Sequence, residues 1–235
     1  MIENYNGDYK DCFAKITGDG GLTADPSAEL STLTNYIETL LKSYLHTKVC
    51  ICIKIIEAEN NNISEWKVKT IARSLNTPRS RKEKDGIAIS VYKNSDLNTI
   101  ITKNASPEEY HGKKIEAFTP EGFLAPNISA LAEAWKKVGL EYSNTTEEWE
   151  DDYSSTIVVP IRIASGHASE KIKKKRSKDP TARYHIIGFL CLDSKDTFEN
   201  DIEIFTSASK LLKSFADSLY PMIEKHIEAQ FISVG

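Results

Sequence analysis

Nowhere in this 235-residue chain does an apolar run approach the ~20 residues that a membrane-spanning helix requires. The opening residues, MIENYNGDYKDCFAK, lack a basic flank followed by an apolar core, so no secretory signal is expected there. Cysteine is scarce, with four residues. Cys50 and Cys52 stand two apart in the apolar run VCICIKI, on one side of a strand, where neighbours close a disulfide poorly. Cys191 lies in a second apolar run and Cys12 in a polar leader, so the expectation is free thiols in a reducing, cytoplasmic setting. An excess of either charge is also missing: 30 Lys and Arg stand against 34 Asp and Glu, a net charge of −4. A role on nucleic acid or a membrane surface therefore needs a local patch.

Catalytic signatures are missing too. There is no Gly-x-x-x-x-Gly-Lys-Ser/Thr phosphate loop, no His-Glu-x-x-His and no Gly-x-Ser-x-Gly. His46, His111, His167, His185 and His226 are scattered without metal-ligand spacing, and Cys50 and Cys52 have no Cys-x-x-Cys context. The sequence predicts neither an enzyme nor a metal site.

What is present is a chain able to bury a substantial core, 40% of its residues being hydrophobic. Residues 1–25 are polar and broken by GDGG, which predicts a loosely ordered leader. Leu30, Leu33, Ile37, Leu40, Leu41 and Tyr44 then recur at helical spacing. VCICIKIIEA (49–58) and EWKVKTIARS (65–74) predict a hairpin whose first strand is apolar enough to be covered on both faces. After the polar loop TPRSRKEKDG, the segment GIAISVYKNSD fits a short helix stopped by Asn94-Ser95, and LNTIITKN a short strand. PNISALAEAWKKVG fits a helix capped by Asn127 or Ser129. YSSTIVVPIRI and YHIIGFLCLDS are apolar strands flanking a lysine-rich loop, and a long amphipathic helix with Pro221 inside it follows.

From Tyr153 to Ile227, this order of strand, polar loop, strand ending in Asp-Ser and long helix resembles the closing half of a GAF domain. GAF domains are small-molecule sensor and dimerisation modules, and the 86–105 segment resembles the middle of one. The resemblance implies an α/β (α+β) fold, a central antiparallel sheet with the N- and C-terminal helices packed on one face. It would form a single domain over residues 26–232. It also implies a homodimer through the terminal helices and a separate effector protein to receive the signal. The chemistry of particular GAF varieties does not fit. Cyclic-nucleotide-binding members carry an Asn-Lys pair and then Phe, three residues, Asp-Glu. Here Phe198-Glu199-Asn200-Asp201-Ile202 has two residues between Phe and Asp and no Glu, so Phe198 is expected to pack and Asp201 to cap. Tetrapyrrole-binding members need a cysteine in ligand-facing loops, and none stands between Cys52 and Cys191. Sulfoxide-reducing members need loop cysteines, whereas these lie on strands.

A pocket for an unidentified small molecule is the remaining implication, with no cofactor named. Its polar wall is expected from Ser90, Asn94, Ser95 and Asn104, with Ser154, Ser155 and Thr156 on the strand opposite. A rival reading rests on the loop EKIKKKRSK. Lys171, Lys173, Lys174, Lys175, Arg176 and Lys178 would contact a polyanion such as nucleic acid, against the simpler reading of a solvated hairpin tip.

Overall fold

The computed structural model describes residues 2–17, 27–57, 62–105, 122–137, 139–144, 153–170, 172–173 and 183–232. Two helices open it, α1 (Ile2–Thr17) and α2 (Ser27–Leu45). They are followed by β1 (Val49–Glu57), β2 (Lys67–Arg73), a one-turn α3 (Arg79–Lys82) and the two-residue β3 (Ile89–Ser90). Next come α4 (Ser95–Ala105), β4 (Phe123–Ala125), α5 (Ile128–Lys137), β5 (Ser155–Ala164) and β6 (Tyr184–Ser194). The chain closes on α6 (Ile202–Ile232).

Among the described residues, six strands join in one antiparallel sheet, ordered β3-β2-β1-β6-β5-β4. The two strands at its centre, β1 and β6, are among the most continuously apolar of the chain, as burial on both faces demands. Strand alternation then divides the core. Ile51, Ile53, Leu190, Leu192, Ile157 and Val159 meet α2 and α6, on which Leu30, Leu33, Ile37, Leu212, Leu219 and Met222 are fully buried. Cys52, Ile56, Val158, Phe189 and Cys191 point to the opposite face, where Leu97, Ile100 and Ile101 of α4 and Trp135 of α5 cover them. The terminal helices therefore occupy one face and the α3–α5 region the other.

Two expectations are corrected. Residues 2–17, expected in a loose leader, form α1, because Tyr9, Cys12 and Phe13 lie at helical spacing and pack against the helix-side core. The segment 89–105 is inverted: the strand comes first and the helix second. Asn94 does not end a helix. It starts α4, its Oδ1 accepting from the Leu97 amide at 3.1 Å, as an N-cap does. Leu97, Ile100 and Ile101 then supply a helical stripe that the assignment of LNTIITKN as a strand overlooked. Asn127, by contrast, caps α5 as expected, accepting from the Ala130 amide at 3.0 Å. Phe198 packs as expected and stacks on Phe205, with ring centroids 4.6 Å apart.

Candidate functional site

On the face away from the terminal helices, the apolar packing gives way to a polar cavity of about 80 Å³. Its floor is the sheet: Lys54 from β1, Thr70 and Arg73 from β2, Thr156 and Val158 from β5, Cys191 and Asp193 from β6. Its walls are Arg81 and Lys84 from the α3 region, Ile87 and Ile89 beyond it, Asn94, Asp96 and Leu97 at the start of α4, and Asn144 and Tyr153. Period-2 alternation explains the floor. Residues 191 and 193 share one side of β6, so the apolar run that ends in Asp-Ser delivers a carboxylate to the cavity.

That carboxylate is the hub. Asp193 Oδ2 accepts from Arg81 Nη2 at 2.5 Å, and its Oδ1 accepts from the Thr156 hydroxyl at 2.7 Å. Both Arg81 and Asp193 are buried. Burial disfavours the Arg81 charge most of any single effect, but attraction to Asp193, the neighbouring Cys52 and the hydrogen bond to Asp193 together outweigh it and keep the guanidinium protonated. Arg81 also lies over the Tyr153 ring, 5.2 Å from its centroid. Arg73 is paired with Asp85. A second network starts at Asp96, whose Oδ1 accepts from the Tyr142 hydroxyl at 2.7 Å. Burial raises the Asp96 carboxyl to about 7, against the opposing effect of the Tyr142 hydrogen bond. Asn94 Nδ2 donates to Asn144 Oδ1 at 3.0 Å, and Asn144 in turn donates to the Tyr153 hydroxyl.

Under this network two thiols face each other, since Cys52 of β1 is the register partner of Cys191 of β6. The facing Cys191 thiol, together with the Arg73 and Lys54 cations, draws the Cys52 thiol below its ordinary value against the cost of burial. All four cysteines are free thiols in this structure.

Of the residues expected to line a pocket, Asn94 and Thr156 do so. Ser155, adjacent to Thr156, points to the other face, and its hydroxyl donates to the Asp196 carbonyl at 2.7 Å. Ser95 is buried beside the cavity, where its hydroxyl accepts from the Ser143 amide at 2.8 Å. Ser90 sits half-buried on edge strand β3, and Ser154 precedes β5 with its amide donating to the Ser194 carbonyl. Asn104 falls near the end of α4, two turns beyond the residues of that helix that line the cavity. In the basic loop, Lys171, Lys174, Lys175, Arg176 and Lys178 lie outside the described residues. Lys173 is described, and it pairs with Glu170 at 2.7 Å. Among the described residues, no His, Cys, Asp and Glu cluster is placed to hold a metal ion, and no helix is long and apolar enough to cross a membrane.

Sequence reasoning missed Lys54, Arg73, Arg81, Asp96 and Asp193. A signal existed for two of them: Lys54 interrupts CICIKII and Asp193 closes GFLCLDS, each a charge in an otherwise buried strand.

A central antiparallel sheet with the N- and C-terminal helices on one face is what the resemblance implied. The fold is GAF-like. Among solved structures, the GAF domain of an Acinetobacter phosphoenolpyruvate-protein phosphotransferase aligns over all of both chains at 11% identity and TM-score 0.45. A type II free methionine-R-sulfoxide reductase from Thermoplasma acidophilum aligns over 84% of this chain and 94% of its own, at 13% identity and TM-score 0.43. A far-red cyanobacteriochrome photoreceptor aligns over 96% and 98%, at 11% identity and TM-score 0.45. No residue role is carried across likenesses of this degree. No family model and no curated protein matches the chain.

Proposed function

We propose that this GAF-like chain is a regulatory module that binds a small molecule in the polar cavity and works by binding rather than by turnover. One observation carries the reading: buried and half-buried polar side chains from β1, β2, α3, α4, β5 and β6 converge on one cavity over the sheet. Assembling them costs desolvation, and a ligand site is the usual reason to keep so many polar groups inside. The carboxylates are already engaged, Asp193 by Arg81 and Thr156 and Asp96 by Tyr142, which suits a shaped receptor better than a reacting centre.

The sheet links this cavity to the terminal helices through alternate residues of the same strands. Lys54 borders the cavity while its neighbours Ile53 and Ile55 pack toward α2 and α6. Asp193 borders it while Leu192 packs the other way. A ligand that repositions β1 or β6 therefore shifts the surface on which the helices sit, and two helix packings differ by only a few kcal/mol. The helices would act as a homodimer interface. On α6, Ile204 and Leu211 stand one heptad apart and remain 42% and 36% exposed, favouring a partner there. A separate effector protein would receive the change.

Native mass spectrometry on protein purified gently from cell extract tests this directly. A dimer mass carrying a discrete small-molecule mass is expected. A bare monomer from every preparation would overturn the reading.

A further inference from the structure

The cavity carries an imbalance of charge that points to what it binds. Four cations line it, Lys54, Arg73, Arg81 and Lys84, against two carboxylates, Asp96 and Asp193. Two of the cations are already neutralised, Arg81 by Asp193 and Arg73 by Asp85. Lys84 is exposed to solvent, so water screens it. Lys54 differs from all of these. It stands half-buried on a central strand, on the cavity floor, and its ammonium has neither an ion pair nor a hydrogen bond among the described residues. Neither nearby acid closes on it: Asp96 is hydrogen-bonded to Tyr142, the Cys52 thiol lies beneath the cavity, and neither makes an ion pair or a hydrogen bond with Lys54 among the described residues.

An ammonium left without a partner on the floor of a polar cavity costs free energy unless something anionic joins it. Neutral hydrogen-bonding groups stand around the same space: Thr70, Asn94, Asn144 and Tyr153. The volume, about 80 Å³, suits a ligand of a few heavy atoms. One unpaired interior charge matches one negative charge, as a carboxylate has, better than the about −1.5 to −2 of a phosphate group at neutral pH.

We propose that the ligand is a small organic monocarboxylate whose carboxylate ion-pairs with Lys54. This rests on the reading of the cavity as a ligand site and narrows it to a chemical class. Binding forms one charge-assisted hydrogen bond or two between the carboxylate and the ammonium, with no covalent step.

The test uses the full chain and a panel of straight, branched and hydroxylated monocarboxylic acids of two to six carbons. Each is paired with its neutral amide, and inorganic phosphate is included. Ligand-detected NMR and thermal shift are read on the wild type and on Lys54→Met and Lys54→Gln. The expected result is that at least one acid binds, its amide does not, and both variants weaken binding at least tenfold while keeping their cooperative unfolding. Retained binding in the variants, or equal binding of acid and amide, overturns the proposal but leaves a small-molecule site. Phosphate binding in place of every acid does the same. If nothing in the panel binds and native mass spectrometry also finds no bound mass, the ligand-site reading falls with it. If nothing in the panel binds but a neutral or polyanionic mass is found, only the monocarboxylate falls.

Discussion

Arg81 on α3 reaches Asp193 at the end of β6, Nη2 to Oδ2 at 2.5 Å, and so ties together two positions 112 residues apart. Both side chains are about nine-tenths hidden from solvent, at 10% and 8% exposure. Such a pair does not add much over a well-packed apolar pair, because two desolvations offset its attraction. Removing one member is different, since the other charge is then stranded. Arg81→Ala and Asp193→Ala are each expected to lower unfolding free energy by about 3–5 kcal/mol. The double change Arg81→Met, Asp193→Leu should cost much less than the sum. Urea titrations of the three variants check this, and simple additivity would show that the pair is not coupled.

Asp96 makes stability depend on pH with a definite sign. Burial raises its carboxyl from 3.8 to about 7, so the folded chain keeps a proton that the unfolded chain releases. Below about pH 4 both states hold that proton and the residue carries no penalty. As pH climbs from about 4 to about 7, the unfolded state gains by up to roughly 4 kcal/mol; above that range the effect is constant. The charged and titratable groups facing Asp96 are Tyr142, Asp193, Lys54 and Tyr153. Asp96→Asn keeps an acceptor for the Tyr142 hydroxyl and removes the titration. Its stability relative to the wild type should rise between about pH 4 and about pH 7. Parallel curves for the two proteins across that range would contradict the assignment.

Lys54 depends on a neighbour that has no side chain. A methyl group at Gly188 would lie 2.4 Å from the Lys54 carbonyl oxygen and 3.4 Å from the Ile55 Cα. Gly188 is the register partner of Ile55 on one side and of Ile161 on the other, so the clash is with the middle of a central strand. Backbone there cannot yield as a flexible side chain would. Gly188→Ala is expected to destabilise the fold by about 3 kcal/mol. It should also weaken any carboxylate seated on Lys54, because β1 must move to accept it. An unchanged melting temperature for this variant would mean that the β1–β6 contact is looser than the geometry indicates.

How far the sequence made this structure legible follows from where its charges lie. β1, β2, β5, β6 and α6 were legible because each is an apolar run or stripe whose period names its element. The 89–105 segment was misassigned because Asn and Ser serve at either end of a helix, and the direction is decided by which side carries the apolar stripe. The site was harder. Candidates were chosen from small polar residues near element ends, and strand alternation then separated Thr156, which lines the cavity, from Ser155, which does not. The charges that dominate the cavity come from an interrupted strand (Lys54), a segment read as a polar loop (Arg81) and a strand end (Asp193). Only the sheet brings them together.

The helix over residues 2–17 has a consequence for the helix-covered face. Tyr9 donates its hydroxyl to the Ser218 carbonyl at 2.6 Å, a bond from α1 to the middle of α6. Ser218 lies three residues before Pro221, in the turn where a proline removes an amide and leaves a carbonyl of the preceding turn short of its intrahelical donor. The carbonyl that lacks that donor belongs to residue 217, next to the one Tyr9 reaches, so Tyr9 secures α6 where its own hydrogen bonding is weakest. Tyr9→Phe keeps the ring packing against Phe13 and removes only the hydroxyl. It is expected to cost about 1 kcal/mol. Amide exchange should quicken in the turn around Ser218 more than at the buried α6 residues Phe205 and Ala208. If exchange rises evenly along α6, or does not change, α1 is not what holds that turn.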